Sequence, residues 1–501
     1  MNKQQRLVLV VSILASFVSF LDGSIVNVAL PAIQRELGGG LAAQQWIVDA
    51  YLLTLGSLIL IAGSLSDLLG RKKILAFGLT GFAAASLLCA VAPNSGLLIA
   101  ARALQGIAGA LLVPSSLALI IDTFSGAAQG KAIGSWTAWT GISFIIGPLL
   151  GGFLVDTASW RWIFAINLLP IAVTLYLLKF VKADSASRSE TKVDIAGALL
   201  CALGLASSVF ALIEQPHYGW GSPLIYLPLA VGIVLLVSFI VYERRAKPAM
   251  LPLSLFRNHN FSVGNLATLS VYAGLTASTF LLIVFLQQVA GYSALSAGLS
   301  LLPVTIIMFL VSPRAGALAG RYGPRLFMGF GPLVASIGFL MMLHLTEDIS
   351  YWTGLFPAIV VFGFGLSFTV APLTAAILGD VPAAQAGIAS AVNNAVSRVA
   401  GLLAVAAVGA IVAARFGSVI DQQFQAAGIP TGYTAAAKQT PLNLTPPNQQ
   451  PYKNNPAVTD AMSDASVAAF HTGIASITGL LVAGGVVSLV GIRNPARAKQ
   501  T

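Results

Sequence analysis

The run LVLVVSILASFVSFLDGSIVNVAL at residues 7–30 decides the class of fold, because it is long and mostly apolar. Its only charged side chain is Asp22. A helix needs about 20 consecutive apolar residues to cross the hydrocarbon core of a bilayer. Strands of outer-membrane barrels instead alternate apolar and polar residues over about ten positions, and this run does not alternate. It is therefore predicted to be a transmembrane α-helix that carries one acid.

Similar runs recur along the whole chain of 501 residues, of which 57% are hydrophobic and only 9% charged. Soluble domains carry about 25% charged residues, so most of this protein's surface must face lipid. The predicted class is an all-α polytopic membrane protein with 14 transmembrane helices. The predicted spans are 7–30, 46–66, 73–92, 97–121, 133–155, 161–181, 194–214, 223–242, 262–288, 295–317, 326–345, 353–377, 391–414 and 468–491.

The distribution of basic residues predicts the orientation of these spans. Of the 27 Lys and Arg residues, 20 lie in segments on the side that holds the N-terminus and 5 lie on the opposite side. Because cytoplasmic loops are enriched in Lys and Arg, both the N- and C-termini are predicted to be cytoplasmic. The net charge of +10 is therefore a topology signal and does not indicate binding to nucleic acid.

Residues 416–466 interrupt the apolar pattern before the last predicted span. They are polar and rich in Pro, Gln and Asn, as in TPPNQQPY at residues 445–452. A composition that cannot bury a core stays unfolded, and long connections without regular structure are often disordered. The segment is predicted to be an external loop with a partly disordered tip.

Several chemistries lack a sequence signature. Cys89 and Cys201 lie within apolar runs, which suits reduced packing residues better than a disulfide framework. No Gly-rich P-loop ending in Gly-Lys-Ser or Gly-Lys-Thr is found, so ATP is not expected to supply the energy directly. The four histidines are scattered and have no metal-ligand spacing. No cofactor or metal is expected.

Two similar turns indicate an internal duplication. GSLSDLLGRKK at residues 63–73 and GALAGRYGPR at residues 316–325 align at their first and second glycines. Internal repeats are common in secondary transporters, although glycine-rich basic turns can also resemble each other by chance. The second turn has Gly320 where the first has Asp67, so any gate built from the two copies is expected to be asymmetric.

Asp22 is the acid that lies deepest in a predicted span. It is about 15 residues from the start of its helix, roughly 22 Å at 1.5 Å per residue. A charged side chain at that depth costs several kcal/mol unless it is paired, hydrated or protonated. Changes in access and partner could therefore move a proton on and off Asp22. The alternatives are a static ion pair and a helix N-cap at a break near Gly23.

Five strings together resemble the major facilitator superfamily, specifically its fourteen-helix drug:proton antiporters. They are LDGSIVNVALP at 21–31, the turn at 63–73, RALQGIAG at 102–109, GISFIIGPLLGG at 141–152 and WRWIFAINLLP at 160–170. The resemblance covers nearly the whole chain and implies two six-helix bundles with two extra inserted helices. The implied boundaries are 1–181 for the first bundle, 182–257 for the inserted helices and 258–501, including loop 416–466, for the second bundle.

The resemblance assigns proton transfer to Arg102 together with Asp22. Arg102 lies in the outer half of its predicted helix, so it is the natural partner of Asp22; the alternative is that it extends to the outer interface. Gln105 follows three residues later on the same helix face and offers a neutral hydrogen bond. The residues that the resemblance places at the substrate cavity are Asn27, Gln105 and Gly106.

The same resemblance implies two further functional segments. Gly147 and Gly151 are four residues apart, which lets another helix approach closely, and Pro148 permits a bend; a plain packing face is compatible with this. The implied antiporter helix contains Gly141, Gly147, Pro148, Gly151 and Gly152. The implied cytoplasmic gate contains Gly63, Asp67, Gly70 and Arg71, where the acid and the base can pair or cap a neighbouring helix.

Asp49 and Glu214 are possible secondary acidic sites, because each lies near the outer end of a predicted helix. The simpler interpretation of both is a solvated helix end. No acid lies deep in a span after the eighth. If a single carboxylate couples protons, it is therefore expected to be Asp22.

The resulting hypothesis is proton-coupled efflux of lipophilic or cationic small molecules such as drugs, by alternating access across a bacterial cytoplasmic membrane. Export rather than uptake rests on the resemblance. The expected partners are a small-molecule substrate, protons and the lipid bilayer, with no nucleic acid, and the monomer is expected to function. The alternatives are a dedicated exporter of an endogenous metabolite or lipid and a non-transporting sensor or scaffold. A membrane enzyme is disfavoured, because no nucleophile–base or metal constellation is found.

Overall fold

A computed structural model describes residues 1–182, 193–247, 249–379, 381, 386–444 and 455–494. Every regular element among these residues is helical. The α-helices are α1 Lys3–Leu37, α2 Gly40–Leu69, α3 Arg71–Ala90, α4 Ser95–Thr123, α5 Gly126–Thr157, α6 Trp162–Ala165, α7 Leu168–Leu178, α8 Ile195–Tyr218, α9 Pro223–Glu243, α10 His259–Gln288, α11 Ala294–Ser300, α12 Leu302–Tyr322, α13 Pro324–Met341, α14 Phe356–Gly379, α15 Ala386–Ala426, α16 Thr431–Lys438 and α17 Pro456–Gly491. Single turns of 3₁₀ or π-helix occupy Leu253–Arg257, Met342–His344 and Tyr351–Leu355.

The apolar runs form helices of transmembrane length, which confirms the predicted polytopic helical class. Within the described residues, 13 helices are long and apolar enough to cross a membrane. The predicted span 161–181 corresponds to a shorter apolar segment, Trp162–Leu178. This segment is broken between α6 and α7, just before Pro170. Proline has no N–H to continue the helical ladder but fits in the first turn of a new helix.

Side-chain caps define where several helices begin. Asn2 and Gln5 form a reciprocal capping box at the start of α1. The Asn94 side chain accepts a hydrogen bond from the Leu97 amide at the start of α4. Such caps satisfy backbone N–H groups that have no partner within the helix. Local polar residues therefore determine these starts, while apolar composition determines the lengths.

The chain divides into two compact units. The first comprises Met1–Leu251 with Tyr292–Leu299, and the second comprises Pro252–Gly291 with Ser300–Thr501. In the first unit α1 packs on α4 and α5, α2 packs on α4, and α8 packs on both α9 and α2. In the second unit α10 packs on α15 and α17, and α13 packs on α14 and α17. Helices α8 and α9 thus belong to the first unit.

The prediction that residues 416–466 form a loop that cannot bury a core is wrong for most of that segment. Helix α15 continues to Ala426, α16 follows, and α17 begins at Pro456. Phe416, Ile420 and Phe424 recur every fourth residue and are all buried. Apolar side chains at this spacing form a packing stripe on a helix even when the mean composition is polar. Residues 445–454 of this segment lie outside the described residues.

The two repeated turns share one backbone conformation. Gly70 has φ +97° between α2 and α3, and Gly323 has φ +93° between α12 and α13. In each turn the glycine N–H donates to the carbonyl oxygen four residues earlier. Positive φ values are accessible to glycine without steric cost. The aligned glycines of the two strings therefore occupy structurally equivalent positions.

Candidate functional site

The Asp22 carboxylate lies inside the first unit and has no exposed surface. Its Oδ2 forms an ion pair with Arg102 Nη1. Its Oδ1 accepts hydrogen bonds from Gln105 Nε2 at 2.8 Å and from Asn167 Nδ2 at 3.0 Å. Charge-assisted hydrogen bonds are about twice as strong as neutral ones. The charge of Asp22 is thus compensated by one cation and two amides from other helices.

Arg102 is 1% exposed and is directed into the protein. Its Nη1 also donates to Gln105 Oε1 at 2.6 Å, and its Nε donates to the Ile47 carbonyl at 3.0 Å. The guanidinium carbon lies 4.3 Å from the centre of the Tyr51 ring, a cation–π distance. The alternative that Arg102 extends to the outer interface is therefore not what the structure shows.

Gln105 connects the ion pair to α3. Its Nε2 donates to Ser86 Oγ at 2.9 Å, and the Cys89 thiol lies 3.7 Å from its Oε1. Gln105, Ser86 and Cys89 have no exposed surface. Buried polar networks of this kind are stable when each member finds a partner. The predicted hydrogen bond from the neutral Gln105 side chain is present, and its acceptor is the Asp22 carboxylate.

Asn167 is a member of this network that sequence reasoning did not assign. It lies in the break between α6 and α7, where the chain leaves the helical ladder, and has no exposed surface. Besides Asp22, its Nδ2 reaches Ser86 Oγ at 3.5 Å. Its position within the string at residues 160–170 was the available signal, because a polar residue is unusual inside an apolar run.

The other two predicted cavity residues have different surroundings. At Gly106 α4 approaches α2 closely, since a Cβ there would overlap Thr54 Oγ1 and the Tyr51 carbonyl. Asn27 is half-buried, and its Nδ2 donates to the Gly23 carbonyl of its own helix at 3.3 Å. Of the three residues, only Gln105 joins the Asp22 network among the contacts described.

The glycines of α5 permit close approach of two other segments. At Gly151 an added Cβ would lie 2.6 Å from Ile25 Cγ1, and at Gly147 it would overlap the Ser24 side chain, both on α1. At Gly152 it would lie 2.5 Å from Leu295 Cα in the segment before α12. Gly141 faces open space. Three of the predicted glycines therefore form a packing face, as the sequence indicated.

Asp156 follows this glycine face, one turn beyond Gly152. Its Oδ1 accepts the Ala294 amide at 3.1 Å and its Oδ2 accepts the Leu295 amide at 2.8 Å. All of these residues belong to the first unit. A carboxylate that accepts two amides at the start of a helix satisfies groups that otherwise lack partners. Asp156 therefore anchors α11 beside α5, a role that the sequence analysis did not assign.

The turn after α2 contains a three-residue ion-pair cluster. Asp67 Oδ1 lies 3.0 Å from Arg71 Nη2. Arg71 Nη1 also pairs with Asp122 and donates to the Ala118 carbonyl at 3.0 Å. Asp122, at the end of α4, was not singled out from the sequence, although it directly follows the predicted span. The predicted pairing of acid and base in this turn is present, with one additional acid.

The surroundings of the two possible secondary acids differ from those expected at a solvated helix end. Glu214 is half-buried and its Oε1 accepts the indole N–H of Trp46 at 2.9 Å, which joins α8 to α2. Asp49, one turn after Trp46 on α2, has no exposed surface. Neither of its oxygens has a hydrogen-bond partner among the described residues. The interpretation of Asp49 as a solvated helix end is wrong.

The chain is similar to known membrane transporters in sequence and in fold. The profile of the Major Facilitator Superfamily matches residues 12–405. The multidrug resistance protein Stp of Mycobacterium tuberculosis (strain CDC 1551 / Oshkosh) is 34% identical over 433 residues, which cover 85% of this chain and 79% of that protein. The puromycin resistance protein pur8 of Streptomyces alboniger is 35% identical over 407 residues, 79% of this chain and 80% of that protein. A bacterial homologue of the human lysosomal transporter Spinster has a similar fold, with a TM-score of 0.67 at 16% identity over 99% of this chain and 100% of that one.

Proposed function

This chain belongs to the Major Facilitator Superfamily, and we propose that it exports lipophilic or cationic small molecules, including drugs, in exchange for protons. The multidrug and puromycin resistance named for its relatives supports export of drug-like molecules. Cargo crosses by alternating access, with the protein in a bacterial cytoplasmic membrane and both termini in the cytoplasm. The excess of basic residues on the N-terminal side supports that orientation.

The buried ion pair of Asp22 and Arg102 carries the proton-coupling part of the proposal. In the conformation described, Arg102 and two amides compensate the charge of Asp22. When Asp22 takes up a proton, it loses its charge and its hold on Arg102 weakens. Arg102 and Gln105 are then free to find other acceptors, so α1 and α4 can repack. Protonation is thus coupled to a change in helix packing, which an antiporter requires.

Two further segments support the conformational part of the proposal. The cluster of Asp67, Arg71 and Asp122 ties the end of α2 to the end of α4, and we assign it to a cytoplasmic gate. The glycine face of α5 brings this helix close to α1 and to α11. Close packing without interlocking side chains lets helices shift with little steric cost. We assign this face to the moving contacts of the transport cycle.

Transport by inside-out vesicles with a respiratory pH gradient tests the proposal. Lipophilic cations and neutral drugs are added while an acidic-interior dye reports the gradient. Dye recovery is expected with the wild type and lost with Asp22→Asn, which keeps the side-chain shape but cannot carry the proton. Asp421→Asn is the matched control, because this acid is exposed, pairs with Lys438 and belongs to the second unit. Recovery that survives Asp22→Asn would refute Asp22 as the coupling acid.

A dedicated exporter on the same fold is the second candidate. The name of the pur8 relative specifies one compound, which favours a narrow range of cargo. Vesicles that respond to one chemical class and to no other member of the panel would favour this candidate. Responses to several unrelated classes would favour broad drug export.

A further inference from the structure

Two carboxyl groups meet where α8 begins and α9 ends. Asp194 caps α8: its Oδ1 accepts the Gly197 amide at 2.8 Å and the Tyr242 hydroxyl at 3.1 Å. Glu243 is the last residue of α9 and is 3% exposed. Its Oε2 accepts the Leu251 amide at 2.9 Å. One oxygen of each carboxyl group is therefore occupied by donors from the local backbone and the Tyr242 hydroxyl.

The second oxygen of each group has no donor among the described residues. Asp194 Oδ2 and Glu243 Oε1 are both buried and without a hydrogen-bond partner. Both lie against Gly197, where an added Cβ would be 2.6 Å from Asp194 Oδ2 and 2.5 Å from Glu243 Oε1. Both oxygens therefore lie close to the same point beside Gly197. The absence of a side chain at Gly197 creates the space in which they meet.

Two ionised carboxylates in this position would repel each other, and neither would have a donor for its free oxygen. Carboxyl pairs in contact resolve this by sharing one proton, as in aspartic proteases. The proton bound to one group then donates a hydrogen bond to the other. A single proton therefore satisfies both orphan oxygens, whereas a buried acceptor left unsatisfied destabilises the fold.

Other titratable and charged groups near the pair do not replace this proton. On α8 the Cys201 thiol follows Gly197 by one turn, and on α9 the Tyr242 hydroxyl already donates to Asp194. On α2, which packs on α8, Asp67 is paired with Arg71. The basic residues that follow α9 in the described chain form no ion pair with either acid; they are Arg244, Arg245 and Lys247.

We propose that Asp194 and Glu243 form a proton-binding site, separate from Asp22, that holds Leu251 against the ends of α8 and α9 while the proton is bound. Loss of the proton as pH rises places two negative charges in contact. The Glu243 side chain then moves away and releases the Leu251 amide. Helices α8 and α9 thus carry their own response to pH, at the end of α9 that we assign to the cytoplasmic side.

Infrared spectroscopy and hydrogen exchange on the purified full-length protein test the site. The wild type is expected to show the carbonyl band of a protonated carboxyl that disappears on alkalinisation. Above that midpoint, protection of the Leu251 amide should fall roughly tenfold per pH unit, as expected for release of one proton. Glu243→Gln should lack the band yet keep Leu251 protected at every pH, because the new amide group donates to Asp194 while its oxygen still accepts from Leu251.

Gly197→Ala is the second variant, since it retains both acids but inserts a methyl group between them. Its protonated-carboxyl band should move to a different midpoint, and the Leu251 amide should lose protection at all pH values. The same measurements in an Asp22→Asn background separate this site from the coupling acid, and the band is expected to persist there. A band unaffected by Glu243→Gln, or Leu251 protection that does not change with pH in the wild type, would overturn the proposal.

Discussion

Asp22 and Asp49 are both fully buried acids in the first unit, on the adjacent helices α1 and α2, yet their surroundings are opposite. Both oxygens of Asp22 are occupied, by Arg102 and two amides. Neither oxygen of Asp49 has a partner among the described residues. Burial alone therefore does not determine what a carboxyl group contributes. The donors that reach it determine whether its removal weakens or strengthens the fold.

The largest expected effect comes from removing the cation of the Asp22 network. Arg102→Met leaves a buried charge without its partner, which typically costs about 3–5 kcal/mol. The thermal unfolding temperature of the purified protein in detergent should fall sharply. The double variant Arg102→Met with Asp22→Leu should recover much of that loss, because no charge is left unpaired. Unfolding of Arg102→Met at the wild-type temperature would show that the ion pair contributes nothing.

Removing the Asn167 amide, between α6 and α7, is expected to destabilise the same network by a smaller amount. Asn167→Leu removes one of the donors to Asp22 and should cost about 1.5–3 kcal/mol, the usual range for a hydrogen bond to a charged group. The matched control is Asn27→Leu, which removes an amide that bonds within α1. Thermal unfolding measures both. Equal destabilisation by the two variants would contradict a specific role for Asn167.

Replacing Asp49 is expected to change the stability of the fold in the opposite direction. Asp49→Leu replaces a polar group without a partner by an apolar one, which should stabilise this conformation by about 1–3 kcal/mol. Asp22→Leu, the same substitution on the adjacent helix, should destabilise it. Thermal unfolding of the two variants side by side gives the comparison directly. A decrease for both would mean that Asp49 has a partner after all.

The smallest effect is expected at the contact between α2 and α8. Trp46→Phe removes the indole N–H that Glu214 accepts but keeps an aromatic ring near Phe210. A loss of about 1 kcal/mol is expected, because this hydrogen bond is only partly buried. Glu214→Gln keeps an acceptor and should unfold like the wild type. A larger loss from Glu214→Gln than from Trp46→Phe would indicate that the charge, and not the hydrogen bond, stabilises this contact.

Much of the Asp22 site could be predicted because its chemistry is unusual in its setting. Asp22 and Arg102 are each the only charged residue of their apolar span and need compensation. The sequence therefore predicted their pairing, with extension of Arg102 to the outer interface as the alternative. The tight turn at Gly70 followed from a glycine at a point where the chain must reverse. Asn167 could not be assigned in this way. A neutral amide has many possible partners, and nothing in its local pattern indicates which one it meets.

The prediction that residues 416–466 form a loop that cannot bury a core failed for a related reason. Mean composition suggested a segment that could not bury a core, but Phe416, Ile420 and Phe424 are spaced to share one buried helix face. Spacing was therefore more informative than composition. At 41 residues, α15 is about 60 Å long, well beyond the roughly 30 Å core of a bilayer. The buried Phe416, Ile420 and Phe424 stabilise its polar extension by packing.

The sequence by itself determined the class of this protein and its apolar spans, and it predicted that Asp22 pairs with Arg102. These follow from local quantities: the hydropathy of about 20 residues and the cost of one charge in lipid. Only the tertiary structure decided that Asn167 completes the Asp22 site, that Asp49 has no partner, and that Asp194 meets Glu243 across Gly197. The partner of a buried polar group depends on distances between helices remote in the chain, and a few ångströms decide whether a hydrogen bond forms.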